Sequence, residues 1–144
     1  MDTTMLLCDY AEAVNGKLYI TGGGWNILYS AGQPFNASIA ALIAVPWDQA
    51  NRRHQIALHL LTPDGEAVAI DGNPVTVTGD FEVGRPPGVK PGSDLNAPFV
   101  WNFGGLTLEL GRYEWRLEID GATAAHRAFD IVPHPGVPHA AQTG

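Results

Sequence analysis

Apolar and polar residues alternate with a period of two along most of the chain, which is the signature of strands that bury one face. Met5 to Val14 is the first strong element. Asn15-Gly16 closes it, and Lys17-Leu18-Tyr19-Ile20-Thr21 answers it with Leu18 and Ile20 on one side and Lys17, Tyr19 and Thr21 on the other. Asn-Gly supplies the positive φ angles of a two-residue type I′ turn, so the two runs are predicted to form a hairpin. The clearest strand lies in Gly111 to Gly121. Tyr113, Trp115, Leu117 and Ile119 take the core face there, and Glu114, Arg116 and Glu118 face water. Asp120-Gly121 starts a turn, and His126 to Val132 is the last strand.

Phe35 to Val45 departs from simple alternation. Phe35, Ala37, Ile39, Ala41, Ile43 and Val45 share one face, while Ala40, Leu42 and Ala44 make the other face apolar too. A strand covered on both sides, or one whose outer face lies in an interface, has this pattern. The alanine content would allow a helix; the bracketing Pro34 and Pro46 and the β-branched residues favour a strand. Ile56, Leu58 and Leu60 alternate with Gln55, Ala57 and His59, and Thr62-Pro63-Asp64-Gly65 ends that run as a turn. Glu66 to Ile70 begins a return arm, Asp71-Gly72-Asn73-Pro74 interrupts it, and Val75 to Val83 resumes. Gly84 to Asp94 is too rich in glycine and proline for a strand or helix interior and is predicted as a long loop. Phe99 to Phe103 and Leu106 to Leu110 are predicted as an extended pair.

About eight strands at short spacing, with no convincing amphipathic helix, predict an all-β chain. The expected fold is a single antiparallel β-sandwich over residues 1–132, immunoglobulin-like or of a related Greek-key topology. A flexible tail containing proline and histidine is expected over 133–144. At 144 residues, two domains would each be too small to bury much core. Seventeen glycines and eleven prolines suit many turns.

Charge narrows the function classes. Eight Lys and Arg against fifteen Asp and Glu give a net charge of −7. The clustered basic face that displaces counterions from phosphates is missing, so neither nucleic acid nor a membrane surface is an expected partner. Arg52-Arg53, followed by His54, reads as a solvated loop. The first residues lack the features of a secretory leader, and Cys8 is the sole cysteine, so the cytoplasm is the expected compartment.

LLCDYAEAVNGKLYITGGGW, VPWDQANRRH, FEVGRPPGVKPG and GRYEWRLEIDG resemble stretches of an uncharacterised family of small bacterial all-β proteins of about this length. The resemblance runs from Leu6 to about Val132 and implies no known activity. Separately, Gly111-Arg-Tyr-x-Trp-x-Leu-x-Ile-x-Gly121 is similar to the closing hairpin of immunoglobulin-like sandwiches, which speaks to fold alone.

Each candidate for chemistry has a simpler structural explanation. Gly22-Gly23-Gly24-Trp25 follows a strand, but a phosphate loop must open into a helix, and Trp25 to Tyr29 continues extended. A bulge or corner accounts for the glycines. His54 and His59 are an odd number apart and fall on opposite faces of a continuous strand. His134 and His139 have no scaffold to hold them as ligands, so no metal site and no cofactor are expected. Cys8 reads as a buried, inert thiol. Ser30, Ser38 and Ser93 do not sit in a nucleophile elbow. Asp48, Asp64, Asp71, Asp80 and Asp94 could gather around calcium, yet aspartate is also a preferred turn former.

Tryptophans at strand-to-loop junctions are the strongest remaining signal, because such residues anchor partners when they are not core. The expectation is therefore a non-enzymatic binding or assembly module, acting through a protein partner or self-association. Its candidate binding residues are Trp47, Arg85, Lys90 and Trp101, and the apolar second face of Phe35 to Val45 is a route to self-association. A small-ligand- or calcium-binding sandwich, or a small hydrolytic enzyme, is the alternative.

Overall fold

The alternating runs become eleven strands in a computed structural model that describes residues 1–30 and 32–133. They are β1 (Asp2–Val14), β2 (Lys17–Gly23), β3 (Ile27–Tyr29), β4 (Phe35–Val45), β5 (Arg53–Leu61), β6 (Ala69–Ile70), β7 (Asn73–Pro74), β8 (Thr76–Glu82), β9 (Leu95–Leu106), β10 (Gly111–Ile119) and β11 (Ala122–Val132). β3, β6 and β7 are short pieces, which leaves eight longer strands. Apart from Pro133, the tail expected over 133–144 lies outside the described residues.

One sheet has the order β2-β1-β4-β9 and is antiparallel throughout; the other has the order β3-β11-β10-β5-β8 and is antiparallel except for β3 beside β11. β6 and β7 form a small two-stranded ladder around Asp71-Gly72. The chain crosses between the two large sheets after β2, β3, β4, β8 and β9, so they pack as a sandwich. Met5, Leu7, Ile39, Ile43 and Val45 from the first sheet meet Leu58, Leu60, Trp115, Leu117, Phe129 and Ile131 from the second, all nearly or fully buried. Each such side chain contributes about 1.5–3 kcal/mol of burial.

The hairpin turn at Asn15-Gly16 forms with φ of 51° and 74°, as the Asn-Gly pair dictates. Two expectations change. Phe99–Phe103 and Leu106–Leu110 do not pair; the first belongs to one long strand, β9, which pairs with β4. Gly104-Gly105, which reads as a break, is a bulge instead: the Gly105 amide donates to Asn36 Oδ1 at 3.1 Å, and the β4–β9 register shifts between Phe35 and Ala37. The second change concerns His54. It belongs to β5 and is 3% exposed, rather than lying in a solvated loop after Arg52-Arg53.

The sandwich is closed along one side by Arg127, whose Nε donates to the Met5 carbonyl at 2.9 Å. That carbonyl lies on the stretch of β1 beyond the reach of β2, whose pairing with β1 stops at Cys8 opposite Gly23. On the opposite side, the edge strands β8 and β9 face each other, and residues 83–94 run from one to the other. At the entry to β10, the Tyr113 hydroxyl donates to the Glu109 carbonyl at 2.9 Å.

Candidate functional site

Two of the four expected binding residues meet. A 3-10 turn, Trp47–Gln49, leads from β4 towards β5. Arg85 reaches it from the 83–94 loop, donating from Nη2 and Nε to the Trp47 carbonyl at 2.6 and 3.2 Å. The guanidinium carbon stands 4.5 Å from the centre of the Trp47 ring, within cation–π range. Arg85 thus ties the loop to the turn, and Trp47 is half-buried beneath it. Arg85→Ala is expected to lower stability by about 1 kcal/mol, since the hydrogen bonds and the cation–π contact are partly exposed. Thermal unfolding checks this, and an unchanged midpoint would show the tie to be energetically idle.

Lys90 is exposed on the same loop, in a turn where the Ser93 amide donates to its carbonyl at 3.1 Å. Trp101 faces the interior beside Ile39, half-buried against the core. It stacks on Phe99 with ring centres 5.9 Å apart; Phe99 meets Phe81 edge-on at 5.0 Å, and Phe81 lies 5.4 Å from the His54 ring. This aromatic row fills the side of the sandwich between β8 and β9. The row does not bring Trp101 to Trp47, Arg85 or Lys90 as one surface.

The glycine run is the corner where the chain leaves β2 for β3. Gly22 has φ of 60°, and a Cβ on it would run into the Asp9 carboxylate; a Cβ on Gly23 would fall 2.7 Å from the Ile20 side chain. Close packing accounts for these glycines, and a carboxylate lies over the run where a phosphate loop would need converging amides. Cys8 is fully buried, and burial pushes its thiol up, with the neighbouring Asp9 adding to the shift. Such a thiol is a poor nucleophile. Among the described residues, no three His, Cys, Asp or Glu side chains gather to hold a metal ion.

His54 is the most constrained polar group. Its Nδ1 lies 2.7 Å from Asp120 Oδ2 and its Nε2 lies 2.8 Å from the Gln49 carbonyl. Both partners are acceptors, so the arrangement favours the imidazolium, in which both ring nitrogens donate. The Gln49 carbonyl, with Asp120, holds His54 above its ordinary value against the contrary pull of burial. His54 and the Gln55 amide, 2.9 Å from Oδ1, hold the Asp120 carboxyl below its own. Continuing the alternation of Leu60, Leu58 and Ile56 backwards places His54 on the core face, a signal present in the sequence but obscured by the two preceding arginines.

The outer faces of the two sheets differ in kind. The β10 sheet carries paired polar and charged groups: Arg116 Nη2 lies 2.8 Å from Glu114, His59 Nε2 donates to Glu118 at 3.1 Å, and Arg53 lies 3.5 Å from Asp80. The register of the other sheet sets out four cross-strand rows: Asp2–Ala44–Asn96, Thr4–Leu42–Pro98, Leu6–Ala40–Val100 and Cys8–Ser38–Asn102. Asp2, in the end row, is the one ionisable group among them besides the buried thiol. Leu6, Leu42, Pro98 and Val100 stand half-buried on this face, and the β1–β2 hairpin leans over its Ala40–Val100 end. Leu18 and Val100 pack against Cys8, Ala11 and Ala40 as a small second apolar cluster. Ser38 and Asn102 satisfy each other at its border, with Asn102 also donating to the Ala11 carbonyl. The apolar second face of β4 is visible in the sequence; its flanks Leu6, Pro98 and Val100 emerge only once β1 and β9 are known to be its neighbours.

The profile of a family of unknown function, DUF6941, matches residues 3–132. The chain belongs to that family. The match begins at the second residue of β1 and ends at the last of β11, so it spans the strands of both sheets. No activity comes with DUF6941 membership. No curated protein matches the chain.

Proposed function

We propose that this chain is a non-enzymatic binding or assembly module whose recognition surface is the outer face of the β2-β1-β4-β9 sheet. The observation that carries the reading is the run of uncharged, half-buried side chains centred on Leu42, with Leu6 and Pro98 beside it, where a water-facing sheet normally alternates to polar residues. The opposite sheet of the same molecule follows the normal rule, so the exception is local to one face.

The scaffold supporting this surface is proposed to be immunoglobulin-like. β1, β4 and β9 then correspond to strands A, B and E, and β5, β8, β10 and β11 to C, C′, F and G, with β3 parallel to the last. The Tyr113–Glu109 bond at the entry to β10 supports the same reading, as a tyrosine corner. Trp115 stands two residues on, where antibody domains carry a cysteine.

Leu42→Asp tests the function. In native extract of the cells that make the protein, the tagged wild type is expected to migrate well above its 15.4 kDa chain mass. The variant is expected at monomer size, with thermal unfolding close to wild type. Wild type and variant both migrating as monomers would remove the face from consideration.

A further inference from the structure

We propose that the β1–β2 hairpin is a hinged flap, which lifts from the folded sandwich as a unit and uncovers Cys8, Ala40 and Val100. Burial points to it first. Cys8 and Ala40 belong to the outer-face rows, as Leu6 and Leu42 do, yet they are 0% and 2% exposed while Leu6 and Leu42 are only half-buried. The side chains that close over them come from the hairpin. Ala11 and Leu18 join Cys8, Ala40 and Val100 in a cluster separate from the main core. Ile20 lies over Gly23, whose missing side chain leaves room for it beside Cys8.

The hairpin is lightly attached. β1 pairs with β4 only as far as Cys8 opposite Ser38, and its later residues pair with β2 alone. Beyond the strand ladders, Asn102 Nδ2 donates to the Ala11 carbonyl at 3.4 Å, which is long for such a bond. Tyr10, Val14 and Tyr19 of the hairpin are exposed. A segment held by so few buried apolar contacts lies at the low-stability end of a structure and opens locally.

A hinge lies at its base. The β1–β2 register passes from Tyr10 opposite Thr21 to Cys8 opposite Gly23 without Asp9 and Gly22, and Gly22 has φ of 60°. Below that break the Gly24 amide donates to the Leu7 carbonyl at 2.7 Å, which pins the base to the sheet while residues 10–21 move. Glycine accepts the φ and ψ changes that such a motion requires. Met5 and Leu7, in the main core, keep their places when the flap lifts. The flap covers one end of the face centred on Leu42, so opening enlarges the surface proposed above; this consequence alone rests on that reading.

Cys8 is the only cysteine of the chain, so its alkylation by iodoacetamide in the purified full chain reports the opening. The thiolate sulfur displaces iodide once the flap has lifted, and the rate follows the open population when reclosing is fast. The wild type is expected to react measurably in buffer, at a rate that changes little with urea below the global transition. Lifting a hairpin exposes only a small part of the surface that unfolding exposes. Leu18→Ala is expected to speed the reaction roughly tenfold, with the global midpoint read by tryptophan fluorescence nearly unmoved. Leu18 is half-buried on the flap, so its truncation leaves the main core intact. A thiol that reacts only as the whole domain unfolds, with the same urea dependence, overturns the flap. A Leu18→Ala variant that reacts at the wild-type rate overturns it equally. Either result leaves the binding reading standing, because Leu42→Asp in cell extract tests that separately.

Discussion

Trp115→Ala is expected to cost about 3–5 kcal/mol of unfolding free energy, a large part of the 5–15 kcal/mol that holds a domain folded. Trp115 is 1% exposed at the middle of β10 and stacks on Phe103 with ring centres 4.9 Å apart. It joins β10 to the far end of β9 across the interior. Truncation to a methyl leaves a cavity that the flanking strands cannot close, since each is held in register by its neighbours. Trp115→Phe is expected to cost much less. It keeps a ring against Phe103 and removes an indole N–H that has no hydrogen-bond partner among the described residues. Urea unfolding of the three proteins checks both points. An alanine variant within about 1 kcal/mol of wild type would mean that the core is not organised around this ring.

His54 is expected to make stability depend on pH. Its folded-state value is raised, so its contribution is complete below the unfolded histidine value of about 6.5 and is lost as pH rises through the folded value. Asp120 runs the other way. Its folded value is depressed, so its contribution is complete above about 3.9 and disappears as pH falls through the folded value. Together they are strongest between roughly pH 4 and 6.5. The unfolding midpoint should therefore fall on going from pH 6 towards 9, and His54→Gln should flatten that fall. At pH 6 the variant is expected to lose about 2 kcal/mol, the order of two hydrogen bonds from a charged donor discounted for the half-exposed Asp120 side chain. An identical pH profile for wild type and variant would show that the imidazolium is not what couples the Trp47–Gln49 turn to the β10–β11 hairpin.

How far the sequence reveals this molecule depends on the range of the interaction. Hairpins set by Asn15-Gly16 and Asp120-Gly121 are legible, because two residues fix the turn and alternation fixes the faces. The stripe from Tyr113 to Ile119 is equally plain. Gly104-Gly105 misleads, since glycines at a bulge and at a turn look alike until the partner strand is known. The site fares the same way. Leu42 on a second apolar face can be seen in one strand, but the rows that extend it come from residues more than thirty positions away on either side. Arg85 over Trp47 is a contact across 38 positions that loop composition cannot encode.

The five crossings between sheets also govern how the chain must be made. β4 cannot complete its pairing until β9 has been synthesised, and the Met5 carbonyl waits 122 residues for Arg127. A nascent chain emerging from the ribosome therefore carries β1, β2 and β4 with their inner faces bare, and the apolar Leu42 face bare as well. Folding of such distant pairings is slow, and the exposed strands are open to misassociation meanwhile. The β1–β2 hairpin, closed by its own two-residue turn, is the part that can form early and shield one edge of β1 until the last strand arrives.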